Sequence, residues 1–371
     1  MSRKPLIAAP IPLPPPVHGS NVMNQVVLGM LLKGDEWRVH HIPVQFSTAV
    51  ATIGKVGIFK ILRHFRIVLS VAWTLARLRP EITYLSPAVS GFAWFRDALL
   101  IVSARVFSQE VVVHIHGRGL SSAPSSAWAR WMRRAVFRRT HAVHLSEGLA
   151  QSIAQVTAWK SLSVLPNGIE AAPLSREVKE TSEAVTKLLY LSNFIETKGV
   201  LDFVAVCEGL RARGLRFEAA IVGGSGPVID VPVLEQRIKA AGLSDCVFPL
   251  GPRYGEDKLQ ILADSDVFVF PSFYPQECAP LVVLEALSFC LPVVSYDIGA
   301  VSEMVEDGRS GFVVESRNIE QMTQRVAELI EQPALLSSMS ASARERFERE
   351  FTMTTFEARL RDYFAELIAK R

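Results

Sequence analysis

Two glutamates, Glu277 and Glu285, stand eight residues apart on either side of a helix start within residues 270–314. Carboxylates accept hydrogen bonds from hydroxyl groups in pairs, and they also serve as acids, bases or nucleophiles. Residues 281–289 are apolar enough for a buried helix, and Pro280 suits its first turn, where a missing N–H costs nothing. The positive end of that helix is directed at Glu277. Glycine loops follow strand-like runs at Gly223-Gly-Ser-Gly-Pro227 and His116-Gly117-Arg118-Gly119, where a ligand, phosphate included at the first, can approach the backbone closely. Together these residue types can grip hydroxyls and phosphates on one ligand.

The elements that must position them alternate in type along the chain. Strands are expected at 5–13, 37–44, 81–86, 111–115, 142–145, 187–192, 217–222, 247–250, 267–270 and 292–295. Helices are expected at 21–32, 59–78, 200–213, 258–263, 319–330, 333–349 and 354–370. Such alternation specifies α/β architecture with parallel sheets, whose ligand crevices lie at the carboxyl ends of the strands. His116 leaves its strand there, whereas His114 falls within the strand and should pack. Near the start, His18-Gly19-Ser20 turns a proline-rich loop into a helix, an arrangement whose N–H groups face an anion. Ser146 either faces the crevice or caps a helix. Asp264-Ser-Asp266 joins a helix directly to an apolar strand and reads as structural, so no metal site is expected.

The stretch 270–314 closely resembles the donor-binding signature of retaining, GT-B-type glycosyltransferases of family 4. Its features here are Glu277, seven residues, Glu285, then Leu291-Pro-Val-Val294 and Glu306-Asp-Gly308. The resemblance is closest over 187–315, looser over 105–170 and thin before that. It implies two Rossmann-like, doubly wound parallel-sheet domains facing across a cleft. The implied boundaries are an acceptor domain at 1–170, a linker at 171–186, a nucleotide-sugar domain at 187–350 and, at 351–371, a helix crossing back to the first domain. Phe356, Leu360, Tyr363, Phe364 and Leu367 give that helix an apolar face.

The resemblance also implies roles. Glu285 binds ribose hydroxyls, Glu277 contacts the transferred sugar, and the amides of Cys278, Ala279, Pro280 and Leu281 line the sugar and distal phosphate. Lys198 and the loop of Gly224 and Gly226 take the diphosphate, and His116 with Gly117 faces the sugar or acceptor. His18 and Gly19 lie beside the acceptor or donor phosphate. The family has Gly-Arg where this chain has Ser192-Asn193, so a neutral amide replaces a cation, and Arg253 is one candidate substitute. Catalytic roles are expected of Glu277, His116 and Lys198, without a covalent glycosyl-enzyme, a metal or a cofactor.

Composition fits a globular protein, soluble or surface-bound. Hydrophobic residues make up 49% of the chain and charged residues 21%, which excludes a disordered protein. Net charge is +3, yet residues 55–140 hold 14 Lys or Arg against 3 Asp or Glu. The basic helix 59–78, with Lys60, Arg63, Arg66 and Arg77, and the run 130–139 beside Trp128 and Trp131 suit an anionic membrane surface. No nucleic-acid module is recognisable. Four cysteines without pair spacing indicate neither a disulfide framework nor a metal centre. Six prolines between Pro5 and Pro16 spoil a signal-peptide helix. A cytoplasmic enzyme, peripheral on the inner membrane face, is expected. It would move a sugar from a UDP-sugar, or else a GDP-sugar, to a glycan or lipid-linked acceptor. A non-catalytic nucleotide-sugar-binding protein and a nucleotide-sugar epimerase are the alternatives.

Overall fold

The computed structural model describes residues 3–15, 19–44, 58–89, 91–121, 126–173 and 185–370. The chain divides into two compact units, residues 1–167 with 356–371, and residues 168–355. Most of the expected linker, residues 174–184, lies outside the described residues.

The first unit contains β1 (Leu6–Ala9), α1 (Gly19–Lys33), β2 (Arg38–His41), α2 (Ile58–Leu78), β3 (Ile82–Leu85), α3 (Gly91–Phe107), β4 (Glu110–His114), α4 (Ala127–Phe137), β5 (His141–His144), α5 (Glu147–Ile153) and β6 (Ser161–Val164). Its six strands are parallel in the order β2-β1-β3-β4-β5-β6. Strand order therefore reverses between β1 and β3, the position where a parallel sheet opens a crevice. All four residues of β1 and of β3 are buried, as strands covered on both faces require.

The second unit contains β7 (Thr186–Leu191), α6 (Val200–Ala212), β8 (Phe217–Val222), α7 (Val231–Ala240), β9 (Val247–Gly251), α8 (Gly255–Asp264), β10 (Val267–Phe270), α9 (Leu281–Ser288), β11 (Val293–Tyr296), α10 (Val301–Met304), β12 (Gly311–Val314), α11 (Ile319–Glu331) and α12 (Pro333–Glu350). Its strands are parallel in the order β12-β11-β10-β7-β8-β9, with the reversal between β7 and β10. Caps set the helix starts: Asp230 accepts from the Val233 N–H at the head of α7, and Asn318 from the Gln321 N–H at the head of α11. A core of Tyr190, Phe203, Val269, Val294 and Tyr296 joins the sheet to α6 and α11.

Helix α13 (Met353–Ala369) follows, and residues 356–371 belong to the first unit. Phe364 packs its ring against Trp37 and Tyr84, at 5.9 and 6.1 Å between centroids.

The structure departs from expectation at several elements. Helix α3, apolar over most of its length, is not among the helices expected from the sequence. β2 is confined to Arg38–His41, half of the expected strand. Pro280 is the N-cap of α9, with ψ 118°, rather than a residue of its first turn. Ser146 caps α5 by accepting from the Leu149 N–H at 3.3 Å. Asp266 accepts from the Lys187 N–H at 2.8 Å and so ties β10 to the start of β7, which is the structural role read for that triplet.

Candidate active site

The reversal between β7 and β10 gathers the residues of the second unit that suit a phosphorylated sugar. β7 ends at Leu191, and the chain passes through Asn193 and a single 3-10 turn at Glu196–Lys198 before α6 begins. Gly199 makes that junction possible. Its φ is +79°, and a Cβ placed on it would lie 1.8 Å from the Pro271 carbonyl oxygen, just after β10. Only glycine lets the two loops touch there. Beneath them Tyr190, fully buried, donates from its hydroxyl to the carbonyls of Asn193 and Lys198 at 3.3 and 3.2 Å. Burial drives its pKa far upward, so it stays a neutral donor.

Lys198 and Glu277 meet at this point. The lysine Nζ lies 2.5 Å from Glu277 Oε2, and Ser272 donates to the same oxygen from 3.0 Å. The ammonium also sits over the Tyr274 ring, 4.6 Å from its centroid. Glu277 is 9% exposed, so its carboxylate needs both donors. Cys278 is buried, and its carbonyl accepts from the Ala300 N–H at 2.7 Å, which fixes the segment leading into α9. Pro280, the N-cap, supplies no side-chain hydrogen bond, so the positive end of α9 at Leu281 is not neutralised by its own cap. Ala279 and Leu281 are half-buried along that edge.

Glu285 stands one turn further along α9. Its Oε1 is bound by the Lys258 ammonium at 2.8 Å, while its Oε2 is buried with no hydrogen-bond partner. An acceptor of that kind inside a crevice calls for a ligand donor such as a hydroxyl.

The glycine loop after β8 has a packing role. Gly226 lies so close to the Phe194 carbonyl that a Cβ would come within 2.0 Å of it, and Phe194 donates its N–H to Gly224 at 2.8 Å. The loop is thereby pinned to the Asn193 segment. Asn193 itself is exposed. Arg253 is exposed on the loop after β9 and donates to the carbonyl of its neighbour Pro252.

In the first unit, His116 follows β4 and is half-buried, with its ring 4.2 Å from that of His114. His114 is fully buried, bonded through Nδ1 to the Tyr84 hydroxyl at 2.7 Å. Burial first, then His116 and His144, hold its pKa well below the usual histidine value. Gly117 lies beside Val89, and Gly19 is exposed at the first position of α1. His18 lies outside the described residues.

Sequence reasoning missed Lys258, Ser272 and Tyr274. Lys258 and Glu285 are 27 positions apart, and no local pattern links them. Ser272 and Tyr274 lie inside the stretch already singled out, where their proximity to a strand end was the available signal.

Two parallel doubly wound sheets give this chain the GT-B fold. Residues 173–346, just under half of the chain, match the family model described as Glycosyl transferases group 1. Alpha-D-kanosaminyltransferase of Streptomyces kanamyceticus is 28% identical over 300 residues, 74% of this chain and 76% of the relative. The amylovoran biosynthesis glycosyltransferase AmsK of Erwinia amylovora is 25% identical over 200 residues, 52% of this chain but only 47% of that protein. The Anabaena protein HepE, solved in complex with UDP, superposes with a TM-score of 0.72 at 16% identity, covering 97% of this chain and 99% of HepE.

Proposed function

We propose that this protein is a glycosyltransferase that moves a sugar from a nucleotide-sugar donor to a glycan or lipid-linked acceptor, with retention of configuration at the anomeric carbon. The acceptor would belong to surface polysaccharide or glycolipid synthesis, a reading supported by the likeness to AmsK, an amylovoran biosynthesis glycosyltransferase. A UDP-sugar is favoured because HepE was solved with UDP, and a GDP-sugar is the other option. Work on an anionic membrane surface, from the cytoplasmic side, belongs to the same reading. Among the described residues no helix is long and apolar enough to cross a membrane.

The observation that carries the reading is the Lys198–Glu277 pair at the strand-order reversal, beside the positive end of α9. A donor diphosphate draws the ammonium and the helix end, and the sugar hydroxyls draw the Glu277 carboxylate. Glu285 takes a ribose hydroxyl on Oε2, the oxygen that has no hydrogen-bond partner. In the reaction the bond from the anomeric carbon to the diphosphate oxygen breaks, and the acceptor hydroxyl oxygen forms the new bond on the same face. Its proton passes to the departing diphosphate. Lys198 and α9 stabilise the charge that develops on that oxygen, so the rate arises from positioning and electrostatics. That positive charge comes from the protein, and the proposal requires no metal or cofactor. His116 orients the transferred sugar or the acceptor.

Asn193, where the resemblance expects arginine, favours a second reading as a non-catalytic nucleotide-sugar-binding protein. One experiment separates the two. A thermal-shift series with UDP, GDP, ADP and their sugar conjugates, with and without Mg²⁺, is followed by turnover of whichever conjugate binds. A hundredfold ligand excess over Kd stabilises the folded state by about 2.7 kcal/mol. Binding with release of nucleoside diphosphate and an axial-to-axial or equatorial-to-equatorial product supports retaining transfer. Binding without release supports the second reading, and no shift with any nucleotide overturns both.

A further inference from the structure

Helices α2, α3 and α4 form one layer over the sheet of the first unit. From β2 the strand order runs in a single direction, and right-handed crossovers place the helices after β2, β3 and β4 on the same face. Their inward residues confirm the layer: Val71 and Leu75 of α2, Trp94 and Ile101 of α3, and Phe137 of α4 share one core cluster. Helix α3 lies in the middle, in contact with both others.

The outward side of such a layer is ordinarily polar. Here it carries a second set of apolar residues at helical spacing. α2 exposes Leu62, Phe65, Leu69 and Trp73. α3 exposes Phe95, Leu99, Val102 and Val106, and α4 exposes Trp128 and Trp131. These side chains are between 42% and 65% exposed, including three tryptophans and two phenylalanines that a water-facing surface has no use for. Each helix is therefore apolar on two sides, one facing the sheet and one facing outward.

Charge narrows what can cover this face. The three helices contain eight arginines and one carboxylate. That carboxylate, Asp97, is 4% exposed and held by Arg96 and the Ala88 N–H, so it contributes nothing to the outer surface. Arg63, Arg66, Arg77, Arg130 and Arg134 are exposed among the apolar residues, and Arg77 lies over the Trp73 ring at 5.6 Å. A second copy would set arginines against arginines, which like-charge repulsion opposes. An anionic lipid surface accepts both components, the aromatic rings at the headgroup boundary and the guanidinium groups on lipid phosphates.

We propose that the outer face of α2, α3 and α4 is a membrane-docking surface that lies flat on anionic lipid, with α3 at its centre. This rests on the reading of a membrane-surface enzyme given above and identifies the surface that makes the contact. The arginines bring the protein to the bilayer, and Trp73, Trp128 and Trp131 hold it there.

The test is co-sedimentation with vesicles of mixed phosphatidylglycerol and phosphatidylcholine, against phosphatidylcholine alone, at low and high salt. Binding to the anionic vesicles that high salt reverses is expected. The double variant Trp128→Ser/Trp131→Ser should lose vesicle affinity on the order of tenfold, because its two exposed rings supply buried area only on the membrane. Its melting temperature and its thermal shift with nucleotide should match the unsubstituted protein. A second variant, Leu99→Ser/Val102→Ser, tests the central helix in the same way. Failure to bind anionic vesicles at low salt overturns the proposal, as does unchanged affinity in both variants. A concentration-dependent dimer that the tryptophan variant dissociates also overturns it, and identifies a second copy as the occupant. Vesicle binding is measured without donor, so its failure leaves the transferase reading intact, and loss of nucleotide binding with vesicle binding retained overturns only the latter.

Discussion

Glu277 and Glu285, eight residues apart, are each ion-paired to a lysine from a different part of the second unit. Lys198 reaches Glu277 from the loop after β7, and Lys258 reaches Glu285 from α8. Each carboxylate is thus fixed in place without a ligand, at the cost of a cation that the donor must share.

Lys258→Ala frees Glu285 to rotate. Donor affinity should fall roughly tenfold, the scale of one charge-assisted hydrogen bond, while Lys258→Arg restores part of it. Glu285→Ala should lose about a hundredfold, because the ribose contact and the pair with Lys258 go together. Calorimetric titration with the nucleotide that stabilises the protein reads these values. Unchanged affinity in Glu285→Ala would remove the ribose assignment.

Lys198→Ala strips a nearly buried carboxylate of its cation. Stability should drop by about 1–3 kcal/mol, and kcat should drop on the order of a hundredfold or more. The double variant Lys198→Ala/Glu277→Gln should recover most of the stability and none of the turnover. A denaturant melt beside a kcat measurement separates the two effects.

Gly199→Ala should cost more than about 2 kcal/mol, since it combines a left-handed backbone angle with a collision against Pro271. Activity should fall with it, because the same junction carries Lys198. The thermal melt of this variant checks the claim that the β7 and β10 loops must touch.

Acid should destabilise the first unit. His114 and His141 both have pKa values lowered chiefly by burial, so the unfolded chain binds protons at a pH where the folded chain does not. The stability each provides is present above the unfolded value of about 6.5 and is lost as pH falls below it, by up to about 1.4 kcal/mol per pH unit per group. Melting temperatures from pH 8 to 5 should show the decline, and His114→Asn should flatten part of it.

Much of this was legible from residues alone. The strand at Val267–Phe270, the helix beginning at Leu281 and the three helices from Ile319 onward stand where their apolar spacing put them. Glu277, Glu285 and Lys198 were singled out through the resemblance of their stretches to a family signature, and the fold brings Lys198 and Glu277 together. Lys258 was not, because only the placement of α8 beside α9 turns two distant side chains into a pair. Helix α3 escaped for a different reason. A helix apolar on both sides has little periodic contrast, and the outward stripe that hid it from sequence reasoning is the same one that gives the docking face its centre. Gly226 read as a phosphate cradle, and its contact with Phe194 gives it a packing duty that no sequence spacing reveals.

The position of Phe364 against Trp37 and Tyr84 has a consequence for synthesis. These three aromatic residues belong to one unit, yet the whole of the second unit is translated between them. A nascent chain that folds from its amino end therefore carries an unfinished first unit, its Trp37 and Tyr84 uncovered, for the time the ribosome takes to make nearly 200 residues. The first unit to begin folding is the last to be closed. Truncation within α13 would leave that aromatic face open permanently, and the aggregation expected of such a chain would arise from the amino-terminal half although the lesion lies at the other end.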